Sequence, residues 1–255
     1  MKDIVICIPS FKRPIVETLK YIPSAEVYVA KSQLEEYKEK NPKANFVAVD
    51  DKYQGNVCRI RNFIMDFNKG KICCIVDDDL QYLGYWEKNL LNKLETEAEI
   101  YSMIEKFSIL AMDLGVHFWG LNVNKDKQVY REMQPFSTLA YIGSPFMVHI
   151  DQDLRFDERF SLKEDYDFTL QNLNKYRKVL RVNKYHYYVR QKEQVGGVAD
   201  YRTLDEEKSQ LKLLQQKWGD KIVREDKLVN GKGRKSAKNR SFDINPILSI
   251  PIAGI

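Results

Sequence analysis

Residues Gly70–Tyr82 read GKICCIVDDDLQY. The run from Lys71 to Val76 is short and mostly apolar, the pattern of a strand buried in a sheet. Three carboxylates, Asp77, Asp78 and Asp79, follow it without a spacer. Adjacent negative charges repel, and burial makes the repulsion worse. A strand that ends this way needs a positive partner at its tip.

Upstream, the chain alternates strand and helix. DIVICIPS is a strand ending at Pro9, AEVYVA a second, and NFVAVDD a third that also ends in acids, Asp50 and Asp51. SQLEEYKEK reads as a helix opened by a capping box of Ser32 and Glu35. Val57, Ile60, Ile64 and Phe67 recur at helical spacing, with Gly70 as the stop. This β-α-β-α-β order predicts an α/β fold with a mainly parallel central sheet covered by helices. In such sheets ligands bind beyond the carboxyl ends of the strands, where Pro9, Ser10, Asp50, Asp51 and the aspartate triplet all fall.

Downstream, Ile100, Ile104, Phe107, Ala111 and Leu114 mark a long helix that Gly115 ends. VHFWGLNV reads as a strand, and QVYREMQPFSTLAYIGSPFMVHI as strand and loop. Asp165 to Tyr176 reads as a helix, VLRVNKYHYYVRQ as a strand, and TLDEEKSQLKLLQQKWG as a helix with a capping box of Thr203 and Glu206. Residues 1–223 are expected to form one domain, followed by a basic segment and apolar tail over 224–255.

The 255 residues are 44% hydrophobic and 30% charged, with a net charge of +5, the balance of an ordinary globular chain. Arg224 to Arg240 holds seven Lys or Arg against two acids, either a solvated segment or a phosphate contact. Cys7, Cys58, Cys73 and Cys74 form no CxxC pair and read as reduced thiols, pointing to a cytoplasmic setting. The tail INPILSIPIAGI is too short to span a bilayer and is expected to pack on the body or a partner. No membrane association is expected, and the sequence does not indicate an oligomeric state.

Clustered carboxylates at a strand end suit a hard divalent cation, Mn²⁺ or Mg²⁺, bridging protein to phosphate. Their surroundings sharpen this. IPSFKRP stands after the first strand, RIRN in the helix before the triplet, Asp77 and Asp79 form a DxD, and SLKEDYDFTLQ carries Glu164 and Asp165, the latter 86 residues beyond Asp79. Together with Asp50 or Asp51, this order resembles the nucleotide-sugar glycosyltransferases of the GT-A fold, the family-two group especially. The first motif departs from that family in having Lys12 where asparagine is usual. The resemblance covers residues 3 to 190.

That resemblance implies roles. Pro9, Ser10, Arg13, Asp50, Asp51, Arg61, Asp77 and Asp78 would line the nucleotide-sugar site, with Arg61 either touching the nucleotide or bracing an aspartate. Asp77, Asp79 and His186 would hold the metal. Asp165 would be the base of an inverting transfer, with Glu164 as the alternative. Gly196, Gly197 and Arg202 would touch the diphosphate or the acceptor. His117 and His149 read as packing residues.

More narrowly, IPSFKRP, KEDYD and GGVADYR resemble the TET-associated glycosyltransferases of bacteriophages. This implies a UDP-sugar donor, a 5-hydroxymethylpyrimidine in DNA as acceptor, and the host cytoplasm as location. Tyr185, Tyr187, Tyr188, Arg190, Lys192 and Tyr201 are available to touch nucleic acid or to pack the core. Two other readings fit the residues: the same chemistry on a soluble or cell-surface glycan, and a non-catalytic nucleic-acid-binding module on a transferase fold.

Overall fold

The computed structural model describes residues 2–123, 130–189, 202–225 and 244–251. The first half contains β1 (Ile4–Pro9), β2 (Glu26–Ala30), α1 (Leu34–Lys40), β3 (Asn45–Val49), α2 (Val57–Phe67) and β4 (Ile72–Val76). Next come β5 (Leu80–Glu87), β6 (Leu90–Lys93), α3 (Glu97–Asp113), β7 (Phe118–Asn122), β8 (Phe136–Ser137) and β9 (Phe146–Ile150). The chain continues with α4 (Glu164–Tyr176), β10 (Leu180–Val189), α5 (Leu204–Trp218), β11 (Val223–Glu225) and β12 (Pro246–Leu248).

The central sheet runs β3-β2-β1-β4-β9-β7-β10-β5-β6, with β8 beside β10. From the pair orientations, β3, β2, β1, β4, β7, β10 and β6 point one way, and β9, β5 and β8 run against them. Seven of the ten strands thus share one direction, and β3-β2-β1-β4 is the parallel run that the alternating pattern requires. The carboxyl ends of β1, β3 and β4 share one edge, which brings Pro9–Ser10, Asp50–Asp51 and the aspartate triplet to the same side of the molecule.

Side-chain alternation divides the core between the two faces. Ile6, Ile8, Cys74 and Val76 face α3 and its Ile100, Ile104 and Phe107. Val5, Cys7, Cys73 and Ile75 face the side of α2, α4 and α5, where Ile64, Phe168 and Leu214 are buried. All four cysteines are buried free thiols. His117 and His149 pack as expected. His149 stacks on Phe118 at 5.1 Å between ring centres, and burial lowers its pKa to about 3, so it is held neutral.

Two local expectations change. The box of Ser32 and Glu35 does not form: α1 starts at Leu34, and the Ser32 hydroxyl donates instead to Asp51 at 2.8 Å. A short 3-10 turn over Lys31–Gln33 puts Ser32 inside the turn, out of reach of a capping position. A full capping box does exist at Thr96 and Glu99, opening α3. Phe67 is 59% exposed and stacks on Phe63, because α2 ends at that residue and no longer faces the core.

Residues 80–93, unassigned by periodicity, form the β5–β6 hairpin. Lys88 and Asn89 turn it with positive φ at both positions, which matches the right-handed twist of the flanking strands. At the far end of the chain, β12 pairs antiparallel with β11, and Ile244, Leu248 and Ile250 pack on the α2–α4–α5 core. The apolar tail over 244–251 thus lies against the body. No helix among the described residues is long and apolar enough to cross a membrane.

Candidate active site

The site begins where β4 ends. Asp78 is turned inward and is 6% exposed. Its two oxygens accept hydrogen bonds from the Ser10 hydroxyl and the Arg13 guanidinium. Burial raises its pKa to about 6, against the opposing pull of Arg13 and Ser10. Asp78 therefore locks the loop after β1 to the tip of β4. Tyr37 of α1 secures the same loop: its hydroxyl accepts from the Arg13 backbone N–H and pairs with Ser10, each at 2.9 Å.

Asp77 and Asp79 are more open to solvent than Asp78. Their side chains are 28% and 15% exposed. Asp79 lies 3.4 Å from Arg13, while burial and the charges of Asp77 and Asp78 raise its pKa to about 7. Asp77 accepts from Arg61 Nη2 at 3.2 Å.

Arg61 is 2% exposed and spans two elements. Its Nη1 donates to Glu164 Oε1 at 2.7 Å, so one guanidinium ties the tip of β4 to the first residue of α4. Burial opposes the charge on Arg61, but Glu164 and Asp77 outweigh it and raise the pKa. Glu164 is pushed up by its own burial and by Asp165. Next to it, Asp165 Oδ2 accepts from the Tyr141 hydroxyl and from the Ser144 backbone N–H. Among the described residues, its Oδ1 accepts the backbone N–H of Tyr166, at 2.9 Å. The acids of β4 and of α4 thus share one edge, although 86 residues separate Asp79 from Asp165.

A family model for the TET-associated glycosyltransferases matches residues 20–197. The chain belongs to the TET-associated glycosyltransferase family. The glycosyltransferase also shares its GT-A architecture with solved structures of glucosyl-3-phosphoglycerate synthase from Mycobacterium tuberculosis. The form in complex with Mn²⁺, UDP-glucose and phosphoglyceric acid matches with a TM-score of 0.53 at 11% identity, over 90% of this chain and 85% of that one. The form with Mg²⁺ and UDP gives 0.51 at 10% identity, over 98% and 88%. At such identity the likeness concerns the fold alone. Comparison with curated protein sequences found no match.

Several residues of the glycosyltransferase site were not legible in its sequence. Thr18, fully buried, clamps the acid turn. Its hydroxyl donates to the Asp77 carbonyl at 2.6 Å and accepts from the Leu80 N–H at 3.0 Å, and its own N–H donates to the Asp78 carbonyl. The Asp77 N–H in turn donates to the Pro145 carbonyl at 3.2 Å. Tyr37, Tyr141 and Thr18 belong to no motif, and each reaches partners 24 to 62 residues away.

Other expected residues have different surroundings. Asp50 accepts from the Lys52 N–H, and Asp51 from Ser32; both are exposed at the end of β3. His186 is 1% exposed in the sheet, opposite Gly84, with Nε2 only 2.7 Å from where a Cβ on that glycine would stand. Among the described residues no three His, Cys, Asp or Glu side chains form a ready-made metal shell. Arg202 donates to Glu207 at 2.6 Å, an ion pair that also holds Lys163. Gly196, Gly197, Arg190, Lys192, Tyr201 and the basic run beyond Glu225 lie outside the described residues.

Proposed function

We propose that this glycosyltransferase moves a sugar from a UDP-sugar to the hydroxyl of a 5-hydroxymethylpyrimidine in DNA, with inversion at the anomeric carbon. One observation carries the reading. Asp77, Asp78, Asp79, Glu164 and Asp165 gather at one sheet edge, and among the described residues the cations paired with the first four are Arg13 and Arg61. The excess negative charge fits a divalent cation with a diphosphate beyond it.

The donor set suits Mn²⁺ or Mg²⁺: hard carboxylate oxygens, partly open to solvent, with Asp78 already committed to Arg13 and Ser10. Asp77 and Asp79 would hold the ion. A bound divalent ion neutralises charge on the departing diphosphate. The Mycobacterium tuberculosis synthase is found with Mn²⁺ or Mg²⁺ together with UDP, which supports this assignment.

Arg13 and Ser10 would border the diphosphate, and Asp50, exposed on the same edge, would accept from the base. Arg61 braces Asp77 against Glu164. Asp165 takes the acceptor proton through Oδ1 as the hydroxyl oxygen bonds to the anomeric carbon and the bond to the diphosphate breaks. Tyr141 and Ser144 fix the other oxygen, so the carboxylate cannot rotate away. A pyrimidine within a duplex must leave the stack to reach this carboxylate.

The test is a screen of nucleotide sugars with Mn²⁺ and hydroxymethylated DNA, read by mass spectrometry. The expected result is a gain of one sugar per modified base with a UDP-sugar. Transfer to glycans with none to DNA would overturn the acceptor.

A further inference from the structure

The β5–β6 hairpin leads away from the acid edge. Leu80 follows Asp79 directly, and β5 then runs to Glu87, so Trp86 lies about 20 Å from Asp79 at the usual rise of a strand. Tyr82, Gly84 and Trp86 share one face by alternation. The opposite face, with Leu83 and Tyr185, is the one that packs on α3; Phe107 meets Tyr185 at 5.3 Å.

On the face away from α3, Tyr82 stacks on Tyr188 at 5.2 Å, and the Lys93 ammonium lies 4.6 Å above the Tyr82 ring. Farther along, Trp86 lines a cavity of about 740 Å³ together with Asn89, Tyr130, Arg131 and Gln134. The Trp86 indole N–H is desolvated and has no acceptor among the described residues. The outer wall is held in place by Asn183, which donates its side-chain N–H to the Gln134 carbonyl at 3.0 Å and its backbone N–H to that of Pro135 at 2.8 Å.

This cavity is too far from Asp79 to hold the reacting groups. It offers an indole ring, an arginine and two amides, with Glu132 beside the arginine as the one acid among the described residues that line it. A planar ring with carbonyl acceptors, joined to an anionic backbone, satisfies all of these. We infer that the Trp86 cavity is an exosite for a nucleotide of the acceptor strand several positions from the base being modified, with the Lys93–Tyr82–Tyr188 stack lining the path to it. The inference rests on the DNA-acceptor reading and goes beyond it by placing the strand along β5. It also implies that the acceptor is engaged as a single strand, since stacking on Trp86 requires an unpaired base.

The experiment compares a single-stranded oligonucleotide containing 5-hydroxymethylcytosine with the corresponding mononucleotide as acceptors. The expected KM is lower for the oligonucleotide, and the oligonucleotide quenches tryptophan fluorescence. Trp86→Leu should remove that quench and shrink the oligonucleotide's KM advantage by about 5- to 100-fold, the loss of one stacked base. Arg131→Gln, an exposed change with little bearing on folding, should lower the salt slope of oligonucleotide binding by about 1. Equal KM for the two acceptors in the unmodified enzyme, or a quench and KM advantage that survive both substitutions, would overturn the exosite and leave the acceptor reading standing. Transfer to neither acceptor would overturn both.

Discussion

Lys163 and Glu164 are neighbours in sequence but belong to two different electrostatic environments. Glu164 and Asp165 face the acid edge, where five carboxylates gather and, among the described residues, four of them pair with Arg13 or Arg61. Lys163 faces α5, where the acids are matched. Glu207, fully buried, pairs with Lys163 and Arg202. Asp167, also fully buried, accepts from Lys217 at 2.9 Å and from the Trp218 indole at 2.8 Å. Asp157 is held well below its usual pKa by Arg159 and, against some desolvation, by Lys217. In the first region burial pushes Asp78 and Asp79 upward. The second region is a staple between α4 and α5. The first is where we propose that a cation binds. The sequence shows a comparable density of acids in both, so the matching of charge, and not its amount, separates function from support.

The comparison can be broken most directly at Asp165. Asp165→Asn should lower kcat about 10²- to 10⁴-fold, the usual loss of a general base. The KM for the nucleotide sugar should stay within a few-fold; a large rise in KM with kcat intact would move Asp165 from chemistry to donor binding. Glu207→Gln, in the matched region, should affect melting and spare kcat.

Next in size are the buried pairs. Arg61→Met leaves Glu164 buried and without its cation, at a cost of about 3–5 kcal/mol in denaturant unfolding. It should also weaken Mn²⁺ binding by titration calorimetry, because Asp77 loses its brace. Lys163→Gly should destabilise less than that. It removes the pair with Glu207, but Arg202 remains, and glycine relieves the left-handed backbone at φ 67 that lysine adopts there. Equal Mn²⁺ affinities in Arg61→Met and Lys163→Gly would erase the distinction between the two regions.

Thr18→Val tests the clamp under the acid turn. The Leu80 N–H loses its acceptor, for a cost of about 1–3 kcal/mol, and Thr18→Ser should restore most of it. If serine does not restore both stability and Mn²⁺ affinity, the hydroxyl is not what shapes the turn.

The smallest effect is in the pH dependence of metal-free stability. Folded Asp78 and Asp79 titrate near 6 and 7, above the ordinary carboxylate value, so the folded state binds more protons than the unfolded state in that window. Their contribution therefore falls as pH rises from about 4 to about 7. The melting temperature should drop by a few degrees across that range, and Mn²⁺ should reverse the drop. Asp79→Asn should flatten the profile and remove the response to Mn²⁺. Asp157 shifts the opposite way: its contribution is present above the ordinary carboxylate value and is lost only as pH falls below it. Glu207→Gln should leave the Mn²⁺ response as it is.

Much of the fold was legible because its signals are local. Apolar runs at β1, β2, β3 and β4, ended by polar residues, specify a parallel sheet and put those endings on one edge. Helix α4 and the Thr203 cap of α5 follow from spacing and side-chain chemistry alone; Thr203 does accept from the Glu206 N–H. The β5–β6 hairpin was missed because its strands carry aromatic and charged residues on both faces, which blurs the alternation.

Among the site residues, the sequence by itself determined which side chains carry charge and that strand ends would collect them, since a repeating backbone geometry turns chain order into spatial order. Only the tertiary structure decided which charges are compensated. Arg13 could have served any of three adjacent aspartates and takes Asp78 first, because that carboxylate is the one turned inward. Arg61 reaches across to Glu164, Lys163 turns away to Glu207, and Thr18 and Tyr141 supply hydroxyls to residues with which they share no local pattern. Ion pairing and hydrogen bonding act over about 3 Å between groups far apart in the chain, and nothing in residue order encodes that distance.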